Sequence, residues 1–263
     1  MVGSDDLARS IAKPTDQRDV HTYVNKDMVN GEAQILSLIR PAKYPERLRP
    51  LLNALSAARA GLIEVTAIDA TLGEALVAFA SANIKQGIAV IRPPQGEWVD
   101  EDMVKTLFKQ AGLTDWTFEK DDGPGLRSAL YSIMDSMAEE LQMVEQQPLV
   151  VPIDQHFNVK GIGLVAIGYV QSGSVSKHDN IQVLPAGENG IVRSLQVMDD
   201  DVDVAISGDR VGLAIRNLRE EALHRGCMVT HVDSEALVKN TSSTFQIKKA
   251  PFQKRELEVG DVI

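Results

Sequence analysis

Between residues 150 and 229 the chain is a series of short runs rich in Val and Ile, separated by KGIG, QSGS, SKHDN, PAGENG, DDD, SGDR and HRG. The separators concentrate Gly, Asp, Asn and Ser, which supply turn conformations, and the β-branched runs between them favour strands. The pattern predicts antiparallel strands joined by tight turns. So many strands at this spacing cannot all bury an apolar face in one flat sheet, and a flat sheet leaves two open edges. A closed barrel or a sandwich removes both difficulties.

The preceding half has a different rhythm. AQILSLI (33–39), GLIEVTAI (61–68), GIAVIR (87–92) and DWTFEK (115–120) read as strands. Between them, PERLRPLLNALSAARA (45–60) sets Leu48, Leu51, Leu52 and Leu55 at helical spacing, with Pro45 suited to a first turn. TLGEALVAFASANI (71–84) predicts a helix opened by a capping box of Thr71 and Glu74. EWVDEDMVKTLFKQAG (97–112) predicts an amphipathic helix closed by Gly112. PGLRSALYSIMDSMAEELQMVEQ (124–146) predicts one long helix leading to a linker near Pro148. Strands alternating with helices imply a parallel sheet covered on both faces. The expected organisation is an α/β domain over 1–147, a β-barrel over 148–232, and a partial third β domain over 233–263.

Composition excludes several function classes. The chain has no run of eighteen apolar residues, so none of it is expected to span a membrane. Its opening, MVGSDDLARS, lacks the basic-then-apolar layout of a secretory signal. The single cysteine, Cys227, cannot form an internal disulfide; it fits a reducing cytoplasm and reads as a packed thiol in a strand-like run. The net charge of -10 rules out nucleic-acid binding through bulk charge, so an RNA contact needs a local patch. Gly161-x-Gly163 reads as a barrel turn, since no glycine-bearing helix follows it. His156 has no partners at metal-ligand spacing, and Asp199, Asp200, Asp201 and Asp203 read as a solvated turn, so no metal site is expected.

The barrel motifs come in a specific order. An apolar strand enters V-P-I-D, followed by H-F-x-V-x-G-x-G, V-x-x-G-x-V-x-x-G-x-V, I-x-V-x-P, V-R-S-L-Q-x-x-D, A-x-x-G-D-R-V-G-L-A-I and R-G. This order, over about eighty residues, resembles domain 2 of the translational GTPases, nearest to elongation factor Tu and the selenocysteine-specific elongation factor. One departure is His178-Asp179, where that family usually has Gly-Asp. The resemblance implies a barrel that contacts the acceptor end of an aminoacyl-tRNA or a ribosomal surface. Lys160, Arg193, Arg210, Lys248 and Lys249 are candidate RNA contacts on charge, and Phe252 lies between Lys248-Lys249 and Lys254-Arg255. The tail from 242 to 263 resembles the opening of domain 3. One or two strands cannot close a barrel, so the tail is expected to pair elsewhere, fray, or belong to a shortened product.

The same family places a GTPase domain before this barrel, and its chemistry is missing here. A P-loop requires G-x-x-x-x-G-K-[ST]. The only candidate, residues 3–10, keeps Gly3 and Ser10 at its ends, but has Ala8 for the second glycine, Arg9 for the lysine, and Asp5 and Asp6 facing where phosphate would lie. The Asp-x-x-Gly-His switch element is replaced by Arg40-Pro41-Ala42-Lys43-Tyr44, and the guanine-reading Asn-Lys-x-Asp by Arg92-Pro93-Pro94-Gln95. Asn25-Lys26-Asp27 has the wrong place and spacing. The starting pattern GS-x-x-LARSIAK-x-T and RPAKYPERLRPLLNALS resemble archaeal elongation-factor-Tu-like proteins with degenerate GTPase domains. The expectation is a non-hydrolysing binder of tRNA or the ribosome, with no catalytic residue and no cofactor. One alternative is a divergent GTPase, with Gly3, Ser4, Arg9 and Ser10 lining GTP and Mg²⁺. The other is an adaptor that docks a protein partner through the GTPase-like domain.

Overall fold

Val2 joins two half-sheets. It bridges Ile63 in parallel, donating its N–H to the Leu62 carbonyl (2.8 Å) and accepting from the Glu64 N–H (2.9 Å), while the Met1 amine donates to the Ile39 carbonyl. On one side lie β1 (Lys13–Gln17), β2 (Val20–Val29) and β3 (Glu32–Pro41), paired antiparallel in that order. On the other lie β4 (Gly61–Val65), β5 (Gln86–Ile91) and β6 (Asp115–Glu119), all parallel. This computed structural model describes all residues except 18, 19, 30, 198, 199, 245, 247–255, 257 and 261–263. Met1–Asp135 belongs to one compact unit, and Ser136–Thr244 forms another.

The expected all-parallel sheet is corrected to a mixed one. β1 and β2 carry Lys, Asp, Asn and His among their apolar residues, so their sequence does not read as buried strand, and the short turn before β3 permits only antiparallel pairing. The expected covering of both faces does form. On one face Leu62, Ile88 and Val90 pack with Leu7 and Ile11 of α1 (Asp5–Ile11). Their alternates Ile63, Val65 and Ala89 face the opposite way, toward α2 (Leu48–Ala57), α3 (Ala70–Ser81) and α4 (Glu101–Ala111). The period-two alternation of strand side chains divides the two cores. Gly61 lets Trp116 of β6 lie across the sheet: a Cβ there would stand 2.1 Å from the indole, whose Nε1–H donates to the Ile84 carbonyl at 3.2 Å.

Four local expectations need correction. Asp69, not Thr71, caps α3, its carboxylate accepting from the Leu72 N–H at 2.9 Å; a carboxylate placed just ahead of the first turn takes the free donor before Thr71 can. Pro45 lies outside α2, in a turn where the Arg47 N–H bonds the Lys43 carbonyl. Of the four spaced leucines, Leu51 and Leu55 are buried and Leu48 and Leu52 are exposed. The predicted long helix divides at Met137 into α5 (Gly123–Ser136) and α6 (Ala138–Glu145); α6 buries no residue, so no core stripe carries the first helix onward. Gly112 closes α4 as expected, at φ 85°.

In the second unit the strands are β7 (Val151–Val159), β8 (Gly163–Tyr169), β9 (Ser174–Ser176), β10 (Asn180–Leu184), β11 (Glu188–Val197), β12 (Asp200–Val202), β13 (Val204–Ile206), β14 (Arg210–Arg216) and β15 (Met228–His231). Six of them close a ring, β7-β8-β14-β11-β10-β15 and back to β7, antiparallel throughout. Val151, Leu164, Ala166, Ile181, Val183, Leu195, Leu213 and Val229 fill the interior, with the fully buried Cys227 among them. Burial raises the Cys227 thiol above its usual range. β9 and β13 form a separate ribbon, and β12 folds back on β11. The expected first strand of a third domain, 245–252, lies almost wholly outside the described residues. No helix among the described residues is long and apolar enough to cross a membrane.

Candidate functional site

In an open α/β sheet, ligands bind beyond the carboxyl ends of the strands where strand order reverses. Here that place lies between Val2 and the ends of β4 and β5. Leu62, Ile88 and Val90 give way along the same face to Glu64 and Arg92. The Glu64 side chain is only 5% exposed. Its carboxylate accepts the backbone N–H of Ser4, at the start of α1, and lies 3.2 Å from Nη1 of Arg92. Arg92 also reaches Asp6 (2.5 Å) and Asp121 (2.9 Å). Hydrogen bonding to Asp6 leads in raising the guanidinium's pKa further, against a smaller cost of burial, with the charges of Asp121 and Glu64 adding to it. A helix N-terminus commonly cradles phosphate with free N–H groups. In this protein a carboxylate of its own chain takes that position.

The residues proposed for a phosphate loop are each engaged inside the protein. The Gly3 carbonyl accepts from Nε of Arg40 at 2.7 Å. Ser4 Oγ caps α1 by accepting from the Leu7 N–H at 3.1 Å. Arg9 pairs with Asp5, and Ser10 Oγ donates to the Leu7 carbonyl at 2.8 Å. Asp5 also accepts from the buried Tyr23 hydroxyl; that bond, then the one from Arg9, holds its carboxyl below the usual range. Burial first, then Asp5, raises the Tyr23 hydroxyl. Asn25 and Asp27 hydrogen-bond each other on β2 (2.7 Å), away from the ends of β4 and β5. Sequence reasoning missed Glu64. Its only signal was a carboxylate interrupting the apolar run GLIEVTAI.

On the barrel the structure gathers some of the basic candidates and separates others. Arg193 sits where the β11–β14 register shifts, and its guanidinium donates to the carbonyls of Gly161 (3.3 Å) and Ile162 (2.8 Å). It thereby holds the β7–β8 turn that carries the exposed Lys160. Phe157 (36% exposed) and Ile162 (44%) belong to the same end. Sequence reasoning did not include them, because an alternating strand gives no sign of which apolar residue faces outward. Arg210 lies elsewhere: it pairs with Tyr169 at the far end of β8 and stacks its guanidinium 5.8 Å from that ring. Lys248 and Lys249 lie outside the described residues. Asp203 pairs with Lys177 (2.7 Å) and Asp201 accepts from Gln196 (3.0 Å). His178 adopts φ 72°, in the left-handed region that a glycine at this place would occupy without strain.

Comparison with known proteins fits this architecture. Residues 163–230 match the family described as Elongation factor Tu domain 2. An uncharacterized protein of Methanocaldococcus jannaschii is 29% identical over 255 residues, covering 97% of this chain and 77% of that protein. The selenocysteine-specific elongation factor of the same organism is 32% identical over 142 residues, 51% of this chain and 30% of the factor. The crystal structure of the bacterial selenocysteine-specific elongation factor EF-Sec superposes with a TM-score of 0.66 at 21% identity, covering 82% of this chain and 38% of that one. Translation elongation factor SelB from Methanococcus maripaludis, in complex with the GTP analogue GppNHp, superposes at 0.63 and 22% identity, covering 80% and 49%. At these identities the structural likeness establishes the fold, and the chain spans less than half of either solved factor. Residues 163–230 therefore match elongation factor Tu domain 2, and about half of the chain (51%) is similar in sequence to a selenocysteine-specific elongation factor.

Proposed function

We propose that this protein is an elongation-factor-like binding module that engages tRNA or the ribosome without binding or hydrolysing GTP. The observation that carries this reading is the Glu64 carboxylate, buried against the Ser4 N–H and Arg92 where a triphosphate would have to lie. A phosphate brought there would meet the buried Glu64 carboxylate, where repulsion between like charges is strongest, with the more exposed Asp5 and Asp6 nearby. The residues present do not fit GTP with Mg²⁺. The barrel end bearing Lys160, Arg193 and Phe157 supports the RNA half of the reading, since phosphate contacts and an exposed ring are what a single-stranded RNA end requires.

Two titrations test it. Calorimetry with GTP and a non-hydrolysable analogue in Mg²⁺ is expected to give no heat, and micromolar binding would refute the nucleotide-free reading. Fluorescence anisotropy with a labelled tRNA acceptor minihelix is expected to show binding that weakens steeply as salt rises and is lost in Lys160→Glu. Salt-independent binding, or none, would remove the RNA assignment.

A further inference from the structure

The outer surface of the α2–α3–α4 layer is self-complementary. At its α2 end, Leu48 and Leu52 are one turn apart and 46% and 52% exposed, with the exposed Lys43, Arg47 and Arg49 around them and Glu46 as the neighbouring carboxylate. These cations do not serve the helix. Arg47 is its N-cap residue and makes no side-chain cap, and Arg49 follows in the first turn, where the helix dipole disfavours positive charge. At the α4 end, Trp98 is 81% exposed and Met103 52%, amid the exposed Glu97, Glu101 and Asp102. Asp100 is accounted for by capping α4, whereas among the described residues no hydrogen bond or ring contact engages Trp98. Between them, α3 exposes the small residues Ala70, Gly73 and Ser81, together with its single charged residue, Glu74. α2 and α4 pack into the same core as α3, on one face of the sheet.

We infer that this face binds a second copy of the chain in a two-fold symmetric dimer. Under a two-fold axis near α3, the basic, leucine-bearing end of each copy meets the acidic, tryptophan-bearing end of the other. The small residues of α3 let the two helices approach at the centre. A two-fold contact must be made from one patch complementary to itself, and opposite charges at the two ends of this face meet that requirement. Exposed Trp and Arg are also the residue types on which interface energy concentrates. RNA is a poorer occupant, because a pair of leucines offers a base nothing to stack on and the α4 end repels phosphate.

Sedimentation velocity of the whole chain over a concentration series at low salt tests this, with Trp98 emission as a second signal. The expected result is a monomer–dimer equilibrium, weakened by salt, with emission shifting to the blue as Trp98 is buried. Arg47→Glu with Arg49→Glu, and separately Glu97→Lys with Asp102→Lys, should each be monomeric. Their equimolar mixture should dimerise again, because both contacts of the mixed pair are attractive. Gly73→Arg should also be monomeric while still folded, since a Cβ there meets nothing within 4 Å. Trp98→Ala should weaken dimerisation by about tenfold or more. A monomer at every concentration would overturn the inference. So would a dimer indifferent to Gly73→Arg, or a mixture of the charge-reversed variants that stays monomeric.

Discussion

Nη1 of Arg92 lies 3.2 Å from Oε1 of Glu64, across the carboxyl ends of two adjacent parallel strands. Each residue continues the apolar row of its own strand on the α1 face of the sheet. The pair therefore closes the top of that core with charge, at the point where this architecture usually opens to a ligand.

Glu64→Ala should destabilise the first unit by about 2 kcal/mol, since it removes an acceptor of charged hydrogen bonds and strands the Ser4 N–H. Glu64→Gln should cost less, because the amide oxygen still accepts. Urea unfolding of both variants checks the order. Equal costs for Ala and Gln would mean that the carboxylate charge alone matters at this position, and that the packing and acceptor kept by Gln contribute nothing.

Gly61→Ala should cost about 3 kcal/mol or prevent folding, an overpacking penalty at the high end of its usual range. The added Cβ would overlap the Trp116 ring, which is itself packed edge-on against Phe79 at 4.9 Å between centroids. Trp116 emission and thermal unfolding report the outcome. A normal melting curve with native emission would show that the ring can move aside.

The ribbon strands β9 and β13 each end in the same turn. Asp179 accepts from the Ser176 N–H at 2.7 Å, and Asp209 accepts from the Ile206 N–H at 2.8 Å. The residue before the aspartate has positive φ in both, His178 at 72° and Gly208 at 103°. His178→Gly should stabilise the barrel by about 0.5 kcal/mol, the left-handed strain relieved less the entropy glycine adds to the unfolded chain. Gly208→Ala should destabilise it by about 2 kcal/mol. Chemical denaturation of the two variants measures both signs.

Burial raises the Asp209 carboxyl above its usual range, against the lowering effect of its bond from Ile206. Over pH values between the unfolded value near ~3.9 and the raised native value, the native state holds a proton that the unfolded chain has lost. Stability from this group is thus full below the unfolded pKa and is lost as pH rises through the native one. Asp209→Asn should therefore gain stability relative to the parent as pH climbs through that window. Urea midpoints at stepped pH test it, and a constant difference would mean that the carboxyl is not perturbed in the native state.

Much of this was legible in the chain. The turn clusters and Val/Ile runs define the barrel strands, because turn chemistry and β-branching act over a few residues. Gly112 closes α4 for the same local reason. β1 and β2 were not legible: polar residues interrupt them without a clean alternation, Thr22 being buried beside Tyr23, and only the hairpin to β3 reveals that these belong to the core. The division of the predicted long helix at Met137 was hidden as well, since nothing local breaks helical propensity there.

At the candidate site the contrast is sharper. The sequence alone determined that the phosphate-binding lysine, the switch aspartate and the guanine-reading asparagine have no counterparts at their expected places, because those are matters of residue identity. Only the tertiary structure decided what stands there instead. Glu64, Arg92, Asp6 and Asp121 are far apart along the chain, and the order of strands in the sheet makes them neighbours. The same holds for Arg193 and the Lys160 turn, which meet because β8 and β11 flank β14. Local propensity selects each element, but electrostatic partners are chosen across elements, by a register that no short stretch of sequence contains.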